Sequence, residues 1–297
     1  MKMISTNEIS NRWDISERRI RKLCENGLIK GAIKRDGVWQ IPEDAKKPAD
    51  RRYKSRKRSV VVTNSSFAGE IIANEFIVQG YKVSLITEEN LSLKDVQCFK
   101  CDINNSEEIK NIFNKIDRID NLIIFPSSYL PKTILETTEE DFNYYSNLII
   151  KNTFNTIKYG IDKIRKNKGS ITILHSSVAL NPEPGAAIYS MLQASLVMLG
   201  KALAIREGKF GVRVNNIALG PAKTDKLMEK VTQTQIREWK NINPLGVSFK
   251  FEDCLDILVG LANSKGGYSK MTGTVIPIDG GESIADAYTF TQKGGDM

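Results

Sequence analysis

The chain has 297 residues, 41% of them hydrophobic and 26% charged, and a formal net charge of +8. That length suits one large or two unequal domains, and the composition is that of a soluble globular protein. No signal-peptide pattern and no uninterrupted apolar span of bilayer length is read, so a cytoplasmic protein without a membrane partner is expected. Four cysteines, at 24, 98, 101 and 254, form no disulfide-like framework, and there is a single histidine. The CxxC of Cys98 and Cys101 therefore reads as ordinary packing, with no metal site.

Charge divides the chain. Residues 1–58 hold 17 lysines and arginines against 8 aspartates and glutamates, net +9, leaving 26 against 27, net −1, for the rest. The basic end is patterned. Ser5 and Glu8 have capping-box spacing, and Ile9 and Trp13 share one face of a short helix. After a turn at Asp14-Ile15, Ser16 caps a second helix with Ile20 and Leu23 inward and Arg18, Arg19, Arg21 and Lys22 outward, stopped at Asn26-Gly27. "GAIKRDGVWQIP" then reads as two short strands about the hairpin dipeptide Asp36-Gly37. The run "SERRIRKLCENGLIKGA", followed by a Trp-x-Ile-Pro strand, resembles the winged helix-turn-helix of excisionase and MerR-like DNA-binding families. The resemblance implies DNA contacts from Ser16, Arg18, Arg19 and Lys22 on the second helix and from Lys34 and Arg35 on the wing. Residues 1–50 are thus the expected small domain and 51–58 a basic linker.

From Ser59 onward, β-rich runs at Val60 to Thr63, Lys82 to Thr87, Val96 to Lys100, Leu122 to Phe125, Ile171 to His175, Arg213 to Leu219 and Val275 to Ile278 alternate with helical patterns. Such alternation predicts an α/β fold with a doubly wound parallel sheet. "RVNNIALGPAKT" at 213–224, "NPLG" at 243–246 and "MTGTVIPIDGGES" at 271–283, in that order, resemble the short-chain dehydrogenase/reductase family. The resemblance covers residues 59–287, implies a Rossmann-like domain there, and leaves 288–297 as a flexible tail.

By that resemblance, a nicotinamide dinucleotide would meet Thr63, Asn64, Ser66 and Gly69 in the phosphate turn, Glu88 after the second strand, Asp102 near adenine, and Gly220 and Thr224 in the nicotinamide loop. The family's turn is TGxxxGxG; here "TNSSFAGE" keeps only Gly69, is one residue short, and carries the bulky Phe67. No cofactor is therefore certain; of the two dinucleotides, Glu88 and Glu89 favour NAD over NADP. In the family a serine orients the carbonyl, a tyrosine moves the proton, and a lysine four residues on lowers the tyrosine pKa. Tyr189 is present, with Ser176 or Ser177 lying 13 or 12 residues earlier; Ser177 is carried forward as the candidate. Gln193 replaces the lysine. The family's helix asparagine aligns with Ile149, near Asn147 and Asn152. A phenol without a nearby cation is a poor base at neutral pH.

These departures lead to the expectation of a DNA-binding transcriptional regulator. Its large domain would form a homodimer or homotetramer through helices spanning about Glu139 to Arg165 and Ala187 to Glu207, and would sense a small ligand. The alternative expectation is an active NAD(P)-dependent oxidoreductase with an unorthodox proton relay through Tyr189 and Gln193.

Overall fold

A computed structural model describes residues 3–13, 16–25, 27, 29–45, 57–222, 231–232, 234, 243–247 and 249–285, with the backbone alone for Arg19 and Lys22. The chain divides into two compact units, Met1–Arg56 and Lys57–Met297.

In the first unit, β1 (Met3–Ser5) leads into α1 (Thr6–Trp13) and α2 (Glu17–Glu25), followed by the hairpin of β2 (Ile33–Arg35) and β3 (Val38–Pro42). The capping box forms: Glu8 N donates to Ser5 Oγ at 3.2 Å, and Ser5 N donates to Glu8 Oε2 at 2.8 Å. Asp36 and Gly37 both take positive φ, 47° and 82°, the requirement of a tight two-residue hairpin turn. The strands pair antiparallel in the order β1-β3-β2 over a core of Ile4, Ile9, Trp13, Ile20, Cys24, Ile29 and Ile41. Ser16, Arg18, Lys34 and Arg35 are exposed, and Lys34 Nζ stands 5.9 Å from the Trp39 ring centroid.

In the second unit seven parallel strands are ordered β10-β9-β8-β7-β4-β5-β6. They are β4 (Arg58–Thr63), β5 (Lys82–Thr87), β6 (Val96–Lys100), β7 (Asn121–Phe125), β8 (Ser170–Ser176), β9 (Arg213–Leu219) and β10 (Val275–Ile278). The helices between them are α3 (Ser66–Val78), α4 (Ser106–Lys115), α5 (Glu139–Ser146), α6 (Asn152–Asn167), α7 (Ala187–Glu207) and α8 (Leu255–Asn263). The sheet is buried on both faces: Val60 and Val62 join one core with Leu122 and Ile124, while Val61 joins the other with Ile123 and Phe125. That explains why these strands read as continuous apolar runs. The last two residues of the expected linker belong to this fold. Arg58 opens β4, and Lys57 Nζ donates to the carbonyls of Ala262 and Asn263 at the carboxyl end of α8, where a cation is favoured.

Pro184–Phe210 is long and apolar enough to cross a bilayer by composition. Its helix α7 nevertheless belongs to the α/β core: Tyr189, Leu192, Gln193, Leu196 and Ala204 are buried, and Arg165 of α6 grips its last residue, Glu207, with two hydrogen bonds of 2.6 and 2.8 Å.

Candidate active site

The chain runs from β4 through β5 and β6 on one side, then returns to β7 beside β4 and continues outward through β8, β9 and β10. In doubly wound sheets the ligand crevice opens beyond the carboxyl ends of the strands at such a reversal. Asn64, just after β4, and Ser127, just after β7, meet across it: Asn64 Nδ2 donates to the Ser127 carbonyl at 2.7 Å.

On the β7–β8 side the first turns of α7 face the end of β8. Tyr189 and Gln193 stand four residues apart, on one face of the helix, and both are buried. Gln193 Oε1 accepts from Ser176 N at 3.1 Å, tying the helix to the strand end. The Ser176 hydroxyl is near enough to the Tyr189 phenol to lower its pKa, and the phenol donates to the Ser128 carbonyl at 2.7 Å. The Tyr129 ring meets the Tyr189 ring edge-on, with centroids 5.5 Å apart. Ser176, Tyr189 and Gln193 are therefore brought together. Ser177 turns the other way, its hydroxyl donating to Glu282 Oε2 at 3.1 Å. Of the two serines open from the sequence, Ser176 is the one beside the phenol.

Burial raises the Tyr189 phenol well above its ordinary value, and the charge of Glu183 adds to the rise against the lowering hydrogen bonds from Ser176 and Ser128. At neutral pH the side chain is a neutral phenol, and the amide of Gln193 leaves it so. His175 is no base: burial drops its imidazole to about 4, with Nδ1 placed 3.0 Å from the Ser176 carbonyl. Helix α6 is preceded by one wide, π-type turn at Asn147–Lys151, an irregularity frequent at functional sites. It carries the buried Ile149, and just beyond it Asn152 Oδ1 accepts from Thr156 Oγ1 while its Nδ2 is buried without a partner.

Among the described residues, several buried polar atoms at the strand ends toward β6 have no partner. Asn64 Oδ1 and Ser66 Oγ follow β4, Thr87 Oγ1 ends β5, Asn104 Oδ1 follows β6 and Ser128 Oγ follows β7. Buried polar atoms are ordinarily satisfied, so a row of orphans along four adjacent strand ends fits a polar ligand lying there. Thr63 Oγ1 accepts from Ser65 N, and Ser65 Oγ caps α3. At Gly69 a Cβ would stand 2.9 Å from Leu85 Cδ1 and 3.1 Å from Thr63 Cγ2, so this glycine lets helix and strand pack closely. Phe67 does not crowd the turn; it is 42% exposed. Glu88 follows β5, and Asp102 is exposed with Oδ1 accepting from Asn104 N at 2.9 Å. Gly220 is buried, its N–H donating to the Ile278 carbonyl. Thr224 lies outside the described residues. Sequence reasoning missed Ser128, Glu183 and Glu282, whose contacts join residues far apart in the chain.

Comparison with known proteins agrees with this geometry. The family model described as enoyl-(acyl carrier protein) reductase matches residues 61–283. The 3-oxoacyl-[acyl-carrier-protein] reductase FabG of Rickettsia prowazekii is 29% identical over 237 residues, covering 76% of this chain and 96% of the relative. The dehydrogenase/reductase SDR family member 6 of Xenopus laevis is 26% identical over 229 residues, covering 73% and 93%. Among solved structures, the 3-ketoacyl-(acyl-carrier-protein) reductase of Brucella melitensis complexed with NADH superposes with a TM-score of 0.68 at 20% identity, covering 76% of this chain and 98% of that one. The aldohexose dehydrogenase of Thermoplasma acidophilum gives 0.71 at 20% identity, covering 79% and 97%. Fold and site thus define a Rossmann-like oxidoreductase domain. The chain belongs to the short-chain dehydrogenase/reductase family.

That result corrects the functional expectation drawn from the sequence. The matched relatives are named as reductases and dehydrogenases, and nothing in the comparisons points to a DNA-binding regulator or to a retired catalytic domain. The departures read in the sequence as loss of function are differences within an oxidoreductase fold.

Proposed function

We propose that the protein is a nicotinamide-dependent carbonyl reductase in which Tyr189 donates the proton as a neutral phenol and Ser176 orients the carbonyl oxygen. The observation that carries this reading is the convergence of Ser176, Tyr189 and Gln193 at the end of β8. A nicotinamide held in the crevice would supply a hydride to the carbonyl carbon. The oxygen then takes on alkoxide character, a base of about hydroxide strength, which accepts a proton even from a phenol that burial has made weakly acidic. Without the lysine, Tyr189 rests as a neutral phenol, the form that donates a proton in reduction. Among the described residues Gln193 Nε2 meets no hydrogen-bond acceptor, which suits a neutral donor toward a ribose hydroxyl where the family has an ammonium. The row of unpartnered polar atoms from Asn104 to Ser128 suits the adenosine and phosphate portion.

Reduction of a carbonyl panel with NADH and NADPH by the purified full chain tests the reading. It fails if neither cofactor is consumed and neither raises the melting temperature in a concentration-dependent way. Glu88 adds an expected preference. A carboxylate there accepts from a ribose 2′-hydroxyl and repels a 2′-phosphate, so NADH gives the larger thermal shift and Glu88→Ala narrows the gap. Equal shifts in the wild type would remove that assignment.

The same reading includes self-association. Met191, Met198 and Ile205 recur every seven residues on α7, exposed by 49, 65 and 85%, and Phe154 of α6 is 52% exposed. Two or four copies burying this stripe would account for so much apolar surface. Sedimentation should show a dimer or tetramer that Met198→Glu dissociates; a monomeric wild type would refute it.

A further inference from the structure

Glu282 is a carboxylate that the proton relay does not use. It lies in the turn after β10, 105 residues from the serine it contacts. Asp279 shapes that turn by accepting from Gly281 N and Ser283 N, each at 2.9 Å. The turn then grips the loop after β8 twice: Ser177 Oγ donates to Glu282 Oε2 at 3.1 Å, and Asn181 Nδ2 donates to the Glu282 carbonyl at 3.2 Å. Two residues further along that loop is Glu183. Its carboxylate accepts from the Tyr129 hydroxyl at 2.8 Å, and its N–H donates to the hydroxyl of Ser190, next to Tyr189, at 3.2 Å.

Resting on the reading of Tyr189 as proton donor, we propose that Glu282 is a positioning residue for it: it clasps the loop 177–185 through Ser177 and Asn181 and sets the negative charge that faces the phenol. The charge of Glu183 acts on both Tyr189 and Glu282, so this loop stands between the two. Burial, then Asp279 and Glu183, push the Glu282 carboxyl up to about 7 against the lowering bond from Ser177. The ionisable groups facing Glu282 are Asp279 on its own turn and Glu183 on the clasped loop; those facing Tyr189 are Glu183 and Tyr145. Among the described residues no lysine or arginine pairs with Glu282. Deprotonation of Glu282 therefore adds an uncompensated negative charge to the acidic side of the cleft. Transmitted through the clasped loop to Glu183, the charge that acts on Tyr189, this makes the phenolate left after proton donation less stable, and reduction slows as pH rises through about 7.

Two measurements decide this. In protein labelled with 3-fluorotyrosine, the 19F signal of Tyr189, identified by its loss in Tyr189→Phe, should step near pH 7 in the wild type, stay flat in Glu282→Gln, and step less in Ser177→Ala. In turnover, wild-type kcat should fall about threefold from pH 6 to pH 8 while that of Glu282→Gln stays level. Melting follows the same titration. Because the folded carboxyl binds its proton more tightly than the ordinary value of 4.5, its contribution to stability is complete below that pH and lost as pH rises through about 7. Glu282→Gln should therefore gain in melting temperature relative to wild type between pH 5 and pH 8. A fluorine step that persists in Glu282→Gln, or is missing from the wild type, overturns the proposal. A step that behaves as stated in a protein that reduces nothing would keep the clasp and sink the reductase reading.

Discussion

Replacing Tyr189 with phenylalanine should lower kcat for carbonyl reduction by about 10²–10⁴, the range a positioned general acid contributes. The change removes one hydroxyl and little else. The ring keeps its edge-on contact with Tyr129 at 5.5 Å, and the loss of the 2.7 Å bond to the Ser128 carbonyl costs about 1 kcal/mol of stability. Cofactor-induced thermal stabilisation should therefore survive while turnover collapses. Ser176→Ala should lower kcat in the same direction, because its hydroxyl is the partner beside the phenol. A Tyr189→Phe protein with unchanged kcat would show that the proton comes from elsewhere.

Gly200→Val should be among the most damaging single changes to the fold. Gly200 lies on α7 where the helix crosses β9, and a Cβ there would meet the side chain of Asn216, with Cγ only 2.9 Å away. Asn216 is fully buried on its strand, so it has little room to yield. Overpacking of this kind costs about 1–3 kcal/mol, and in a unit of this size each kcal/mol lowers Tm by about 2–4 °C. The same displacement moves Tyr189 and Gln193 off the end of β8, since both ride on α7, so kcat should fall together with Tm. A melting curve and a rate measured on one preparation check both effects. Unchanged melting would mean that α7 can stand further from the sheet than its packing indicates.

The strands were legible because a sheet covered on both faces favours successive apolar residues, as at Val60, Val61 and Val62 of β4 and Leu122, Ile123, Ile124 and Phe125 of β7. The N-terminal hairpin was legible for a different reason: Asp36 and Gly37 tolerate the positive φ that a two-residue turn requires. The site was only partly legible. Tyr189 and Gln193 followed from the resemblance to the family's tyrosine and lysine four residues apart, but the choice between Ser176 and Ser177 depends on how the backbone leaves β8, which spacing does not encode. Gly69 illustrates a second limit, since a glycine admits a ligand and a close helix–strand contact equally well, and only Leu85 and Thr63 beside it reveal the close contact. Glu282 was invisible because its partner is distant in sequence. The functional expectation failed at one step: it equated the absence of a cation with the absence of chemistry, although a phenol that is a poor base can remain an adequate acid.

The most direct test of the account is isotopic. With reduced nicotinamide dinucleotide carrying deuterium at the transferring C4 position and a carbonyl compound that the protein consumes, the alcohol formed by the wild-type chain should hold one deuterium on the carbinol carbon, and Tyr189→Phe should yield almost none. If no carbonyl in a broad panel yields labelled alcohol, or if Tyr189→Phe yields as much as the wild type, the chain does not carry out the reduction assigned to Ser176, Tyr189 and Gln193.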